Sequence, residues 1–275
     1  MSMDKLFDEI HNLPNIPKII QELIDNFNNP KVNADQISKK VQMDQLISAK
    51  VMRLANSARY GAGRKINSID SAVVMLGFET LKTLVVASGV TGSFKDIPGY
   101  DIKQFWRDSF MVANISKVIA KHTKEDPEAA FTVGMMHNIG EALLYMAHGE
   151  KVAKINELVK AGANRVELQR NQFGYDYAAV GAELANRWNF PELIVTAIKE
   201  HAAPHAASTF SPLAGIVFLA RQINKAFNAQ KDKEEILSSI SIDTINALHI
   251  DMLSFMEKLI QMQEQEDDID QLLGD

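Results

Sequence analysis

Residues 47–58 read ISAKVMRLANSA, and this stretch carries its apolar side chains at the spacing of a helix. They fall at i, i+4, i+7, i+8 and i+11, the positions of Ile47, Val51, Leu54, Ala55 and Ala58. These steps follow the 3.6-residue turn of an α-helix, so the five side chains share one face that a core can bury. The stretch predicts an amphipathic helix that packs against other helices.

The same spacing recurs along the chain, and no stretch alternates between apolar and polar residues as a strand does. We therefore predict an all-α fold. Two further stripes, at i, i+4, i+8 and at i, i+3, i+4, i+7, support it: Val180, Leu184 and Trp188, and Ile194, Ala197, Ile198 and His201.

Composition excludes several classes of function. The 275 residues include 29 Lys and Arg against 35 Asp and Glu, a net charge of −6, with no basic stripe that would neutralise phosphates. We expect no nucleic-acid partner. The absence of cysteine excludes disulfides, thiolate metal sites and thiol nucleophiles.

Two features of the sequence bear on where in the cell the protein is found. The chain has no apolar run of about 18 residues, the length that spans a bilayer. Its start, Met1–Asp8, is charged and lacks the apolar stretch of a secretory signal. We therefore expect a cytoplasmic protein with no membrane partner.

Proline and glycine mark the divisions of the chain. The motif LPNIP at residues 13–17 predicts a helix that opens near Lys18, because proline fits a first turn but not a helix interior. The segment from Gly92 to Asp101, which contains Ile97-Pro98-Gly99, is the best candidate for a boundary between lobes. We predict three parts: an N-terminal helical lobe at 1–95, a second helical lobe at 96–228, and C-terminal amphipathic helices with an acidic tail at 229–275.

Several ordered motifs resemble those of HDOD domains. The segment LANSARYG at 54–61 resembles the family's signature turn, with Asn56, Ser57, Tyr60 and Gly61 as its polar and turn positions. The resemblance covers roughly Leu6 to Asn228. The other motifs follow in the family's order: LPNIP at 13–17, IDSAVVMLG at 69–77, FWRDS at 105–109, HNIG at 137–140 and WNFP at 188–191.

The resemblance implies an all-helical protein whose N-terminal bundle lobe precedes a lobe built like a degenerate HD phosphohydrolase. Homologues of this kind occur in bacterial signalling proteins and are thought to act as regulatory or protein-binding outputs. For the signature turn we favour a structural role, in which polar side chains bind the backbone at a helix end. Partner binding by the same turn is the alternative.

An HD phosphohydrolase needs a cluster of His and Asp that holds divalent metal ions and activates a bound water. By the resemblance, Asp108 stands where a His is usual, His137-Asn138 replaces the His-Asp pair, and Arg221 replaces the last Asp. Two further positions that often carry His in relatives hold Tyr177 and the sequence His201-Ala202.

These replacements remove most of the metal chemistry. The amide oxygen of Asn138 is a weak, uncharged ligand, and the guanidinium of Arg221 repels a cation. We predict no catalytic residue, no bound metal and no other cofactor. A reduced metal site made of Asp108, His137 and His201, with His205 as an outside candidate, stays open because two His and one carboxylate form a known ligand set.

Helical stripes suggest what replaced the metal. Asp108 shares an apolar stripe of its helix with Val112 and Ile115, and Arg221 shares one with Ala214 and Val217. A buried charge is costly unless it is paired. We therefore predict a buried ion pair between Asp108 and Arg221, with His137, Asn138 and Tyr177 hydrogen-bonded around it.

The C-terminal region carries one further amphipathic pattern. Leu253, Met256, Leu259 and Ile260 fall on one helical face. That face either caps the core or presents a surface for a partner or for self-association.

The resemblance and the altered site together favour a non-catalytic regulatory module for signal transduction, which acts by binding a protein partner. Two alternatives remain. One is a metal-dependent phosphohydrolase or phosphodiesterase with a reduced site, so the question of enzymatic activity stays open. The other is a sensor of a small anionic ligand or nucleotide that uses Arg221. The identity of the partner, the upstream signal and the oligomeric state, including a homodimer, also stay open.

Overall fold

The computed structural model describes residues 2–10, 14–25, 34–56, 66–94, 97–251 and 255. Within these ranges the chain forms fifteen α-helices, one 3-10 turn and no strand, which confirms the all-α prediction. The first seven are α1 (Met3–Glu9), α2 (Lys18–Asp25), α3 (Ala34–Met43), α4 (Gln45–Ala55), α5 (Ile69–Leu76), α6 (Phe78–Ser93) and α7 (Ile102–Ala120). The remainder are α8 (Pro127–Met136), α9 (Ile139–Lys160), α10 (Arg165–Phe173), α11 (Tyr177–Arg187), α12 (Glu192–Glu200), α13 (Pro212–Asn228), α14 (Lys233–Ser239) and α15 (Ile242–Ala247).

Capping side chains set several of the helix starts in the N-terminal part. Helix α2 begins at Lys18, directly after Pro17, as the LPNIP motif predicts. The Ser68 hydroxyl accepts a hydrogen bond from the Ser71 N–H and caps α5. Between α3 and α4, the Asp44 carboxylate accepts from two backbone N–H groups at the start of α4. Each cap satisfies backbone donors that have no partner within the helix.

Helix α6 lies at the centre of the molecule, because every residue from Leu81 to Thr91 is buried. It packs against α2, α4 and α5 and also against α8. A single hydrophobic core runs from Leu6 to Phe255 and includes side chains of both predicted lobes. The boundary near residue 95 therefore stays a prediction.

Two glycines let helices of the second lobe cross at close range. A Cβ atom on Gly134 of α8 would lie 2.5 Å from the Cα of Ala113 on α7. A Cβ atom on Gly140, at the start of α9, would collide with the backbone carbonyl of Tyr177 on α11. The junction between α8 and α9 is thus pressed against α7 on one side and α11 on the other.

The C-terminal part begins with two short helices, α14 and α15. Asp232 and Glu235 form a capping box at the start of α14. Ile236 of α14 and Ile245 of α15 are buried. Phe255 is also buried, whereas Leu253, Met256, Leu259 and Ile260 lie outside the described residues. In the described ranges, no helix combines the length and apolarity that crossing a bilayer requires.

We expect Gly134→Ala to lower the free energy of unfolding by about 1–3 kcal/mol, since the added methyl group must displace the α7 backbone. Gly92→Ala is the matched control. Its Cβ atom would meet only the end of the Lys50 side chain, at 3.5 Å. The control should raise stability by about 0.5–1 kcal/mol, because alanine favours a helix. Urea denaturation of the two variants measures both effects, and equal stability would contradict the proposed close crossing.

Candidate functional site

Two histidines stand at corresponding positions, each at the C-terminal end of a helix. His137 follows α8 and His201 follows α12. In each ring, Nδ1 lies 2.6 Å from a carbonyl oxygen three residues back, that of Gly134 or that of Ile198. A carbonyl can only accept, so Nδ1 carries the hydrogen and Nε2 keeps its lone pair.

The two rings lie together with Tyr177, the first residue of α11. Their centroids are 5.4 Å apart and their planes are perpendicular. The Tyr177 hydroxyl donates to Nε2 of His201 across 3.3 Å. All three side chains are buried. The described residues place no hydrogen-bond donor on Nε2 of His137.

Arg221 of α13 supplies the charge of this site. Its guanidinium carbon lies 5.7 Å from the centre of the Tyr177 ring. Burial first, and the charge of Arg221 second, lower the pKa of His137 to about 3. Burial and then Arg221 also lower the pKa of His201 well below its usual value. Both imidazoles are therefore neutral at pH 7. Burial raises the pKa of Tyr177.

The structure corrects the predicted ion pair between Asp108 and Arg221. Asp108 is half-buried on α7, and its Oδ1 accepts from Nδ2 of Asn224 at 3.2 Å and from Nδ2 of Asn228 at 3.0 Å. Across the described part of the chain, neither Asp108 nor Arg221 takes part in an ion pair. Arg221, Asn224 and Asn228 fall at i, i+3 and i+7 of α13, so Asp108 meets the amides further along the same stripe.

A second correction concerns Asn138. This residue lies between α8 and α9 and is half-buried. Its carbonyl accepts from the Glu141 N–H at 2.9 Å, but its side chain forms no hydrogen bond with the described residues. The side chain is at the start of a helix, yet it does not cap that helix. Asn138 therefore does not belong to the hydrogen-bond network predicted for it.

A polar network that was not predicted from the sequence holds Tyr177 in place. The buried Glu141 side chain forms an ion pair with Arg165 and accepts from Nε2 of Gln169 at 2.6 Å. The carbonyl oxygen of the Gln169 side chain then accepts from the Tyr177 N–H at 2.9 Å. A charged residue inside the apolar run at 139–144 was the available signal for Glu141, because carboxylates are seldom buried without a partner.

The residues present do not fit a divalent metal ion. Within the ranges that the structure describes, no three His, Asp or Glu side chains come together as a metal-binding group. His137 and His201 present ligand atoms there, whereas Oδ1 of Asp108 accepts from Asn224 and Asn228. His205 is exposed, and its Nε2 is 2.8 Å from the Thr244 hydroxyl. The site is thus a buried polar pocket with one cation and two neutral imidazoles.

Asn56 is the one member of the predicted signature turn whose structure is described. Its Nδ2 donates to the carbonyls of Met52 and Ile66, at 2.9 and 2.8 Å, and its Oδ1 accepts from the Ile66 N–H at 2.7 Å. The side chain therefore joins the end of α4 to the chain just before α5. Ser57, Tyr60 and Gly61 lie outside the described residues.

Comparisons with known proteins agree with this architecture. A family model for the HDOD domain matches residues 13–204. The chain is 34% identical to a crystallised protein from Shewanella amazonensis SB2B that is provisionally named a phosphohydrolase, with a TM-score of 0.85 over 99% of this chain and 100% of that one. An HDOD domain protein of unknown function from Geobacter sulfurreducens is 23% identical, with a TM-score of 0.75 over 97% of this chain and 89% of that one.

Two relatives found by sequence are longer than this chain. An uncharacterized protein of Treponema pallidum (strain Nichols) is 27% identical over 238 residues, which make up 85% of this chain and 46% of that protein. The chain spans less than half the length of the curated relatives that it matches.

We expect the free energy of unfolding to fall as the pH drops from 6.5 toward 3. In the unfolded chain a histidine takes up a proton near its ordinary pKa of 6.5, whereas folded His137 stays neutral down to about 3. The unfolded state then binds more protons, and one such group contributes a slope of up to about 1.4 kcal/mol per pH unit. Urea denaturation of the wild type and of His137→Asn, repeated between pH 6.5 and 3, measures this slope. The variant should show the smaller slope, and equal slopes would contradict the assignment.

Proposed function

The chain belongs to the HDOD domain family, and on that premise we propose that it is a non-catalytic regulatory module for signal transduction that acts by binding a protein partner. One observation carries the non-catalytic part. The cationic side chain of Arg221 lies beside the two imidazoles whose lone pairs would have to hold a metal ion.

The electrostatics of the site support this proposal. A metal ion that reached His137 and His201 would meet the positive charge of Arg221 in a buried setting, where repulsion is screened weakly. It would also lack a carboxylate ligand, since Asp108 accepts from Asn224 and Asn228. The geometry therefore favours a pocket without a metal ion over a hydrolytic centre.

An exposed apolar surface supports the binding of a protein. Gln42 at the end of α3 donates to Asp70 of α5 at 3.0 Å and brings the two helices together. Close to this contact are the exposed side chains of Met43 and Leu46, and Val74 follows Asp70 by one turn of α5. We call Met43, Leu46 and Val74 the α3–α5 patch. Apolar side chains that are exposed together mark candidate sites for protein partners.

A second candidate function, the binding of a small anion, rests on Arg221 alone. This half-buried guanidinium forms no ion pair with the described residues. A phosphate group bound in the pocket would form an ion pair with Arg221. The relevant readout is a rise in thermal midpoint with inorganic phosphate or nucleotides that Arg221→Ala abolishes, because a ligand of the folded state stabilises it.

The first test is the metal content of the purified protein, grown in metal-supplemented medium and prepared without chelator. We expect the wild type to hold less than about a tenth of an equivalent of any transition metal. Arg221→Asp should gain metal, since a carboxylate beside two imidazoles forms a recognised ligand set. Arg221→Ala is the control that removes the positive charge without adding a ligand, and it should gain far less. Near one equivalent in the wild type, lost on His137→Ala, would overturn the proposal.

The second test addresses the partner. Affinity purification of the tagged chain from its own host should recover a protein whose yield falls at least about tenfold with Val74→Glu, because a charge within an apolar interface is costly to desolvate. Leu158→Glu is the matched control, since Leu158 is also an exposed apolar residue but lies on α9. Equal recovery with both variants would exclude the α3–α5 patch as the binding surface.

A further inference from the structure

One face of α4 is largely open to solvent. Leu46, Ala49, Lys50 and Arg53 fall at i, i+3, i+4 and i+7 of this helix, so they share that face. Leu46, Ala49 and Arg53 are exposed, and Lys50 is half-buried. We call these four residues the α4 face. It spans about 11 Å along the helix axis, or about two turns.

The α4 face carries two positive charges that lie close together. Burial first, and the charge of Arg53 second, lower the pKa of Lys50. The Lys50 ammonium extends toward the last turn of α6, where a Cβ atom on Gly92 would lie 3.5 Å from it. Neither Lys50 nor Arg53 forms an ion pair with any residue that the structure describes. Asp44, the acidic residue nearest in sequence, accepts instead from the backbone at the start of α4. Within the described ranges the two cations thus have no counter-charge.

The sequence around α4 is more positive than the chain as a whole. Residues 36–65 contain seven Lys and Arg against one Asp, a local excess that the net charge of −6 conceals. Of these cations, Lys40 forms an ion pair with Glu22. A positive region of this kind attracts an acidic surface before contact and disfavours a basic one. The charge distribution therefore favours an anionic partner at α4.

The apolar residues beside these cations favour a protein over a nucleic acid. Leu46 belongs both to the α4 face and to the α3–α5 patch, so the two surfaces are continuous. Met43 and Val74 add exposed apolar area to the same surface. A phosphate backbone would bind the cations and leave the apolar side chains without an apolar partner. A helix with one apolar stripe and flanking carboxylates satisfies both parts of the surface.

We propose that the protein partner docks on the α4 face with an acidic amphipathic helix. Its apolar stripe covers Leu46 and Ala49, and its carboxylates bind Lys50 and Arg53. The inference rests on the proposed function, which requires a protein partner. A neutral segment that covered Lys50 would bury a charge without a counter-charge, and that burial is costly. The two cations thus select among partners, because they reject neutral and basic segments that fit Leu46 equally well.

A displayed library of random helical peptides tests the chemistry of the partner on the full chain. We expect the selected peptides to carry an excess of Asp and Glu beside an apolar stripe. They should not be selected by the double variant Lys50→Glu, Arg53→Glu. Neutral or basic selected peptides, or peptides that the double variant selects equally well, would overturn the proposal. Because the library contains no host protein, this result does not depend on whether affinity purification recovers a partner.

The affinity of a selected peptide, measured by fluorescence anisotropy, compares two matched double variants. Lys50→Glu, Arg53→Glu should weaken binding at least about tenfold, the effect of losing two exposed ion pairs. Lys151→Glu, Lys154→Glu is the control, since it reverses two exposed charges at the same i, i+3 spacing on α9. The control should change the affinity less than about twofold. Arg53→Glu alone, with an expected loss of about threefold, serves if the first double variant does not fold. Equal affinities for the two double variants would refute the proposal.

Zero-length cross-linking with a carbodiimide tests the contact itself, because the reagent joins a lysine amine to a carboxylate that touches it. We expect mass spectrometry to find an amide between Lys50 and an Asp or Glu of the selected peptide. Lys50→Arg keeps the charge and should keep the binding, but it cannot form this amide. Cross-links at other lysines only, or displacement of the peptide by a short DNA duplex, would contradict the proposal. A host protein that the wild type and Lys50→Glu, Arg53→Glu recover equally would contradict this inference and leave the proposed function intact.

Discussion

The close crossing of helices at Gly134 and Gly140 is the constraint on which the second lobe depends. Without side chains at these positions, α8 lies against the α7 backbone and the start of α9 against the α11 backbone. His137 is held between the two crossings, and Tyr177 begins the helix that Gly140 touches. The positions of the polar groups in the pocket thus follow from these backbone contacts.

Hydrogen bonds to backbone carbonyls determine which ring nitrogen of each imidazole in the pocket carries the hydrogen. Both imidazoles use their one hydrogen at a helix end, so each presents only a lone pair to the interior. Burial and the charge of Arg221 both oppose a second proton. A positive side chain is tolerated next to these rings because the rings are neutral bases. The same arrangement disfavours a metal ion, which would bring additional positive charge.

Periodicity predicted the helical fold, since a 3.6-residue repeat is a property of the sequence itself. In the structure, His137, Tyr177, His201 and Arg221 lie in one region. The predicted ion pair between Asp108 and Arg221 is absent because an apolar stripe shows which face of a helix is buried. It does not show how far along the helix axis a contact lies. Asp108 meets α13 one and two turns beyond Arg221, at Asn224 and Asn228. The partners of Glu141 could not be predicted, as they come from a helix that begins 24 residues later.

The amide of Asn56 has a wider consequence for the connection between α4 and α5. Its donor and acceptor pair with both backbone groups of Ile66, as a neighbouring peptide unit in a sheet would. The Asn56 side chain thus joins the two ends of the intervening chain directly. A change in the length of that connection would leave this contact intact. Each doubling of it would cost only about 0.6 kcal/mol of chain entropy, while the fastened ends keep the two helices in place.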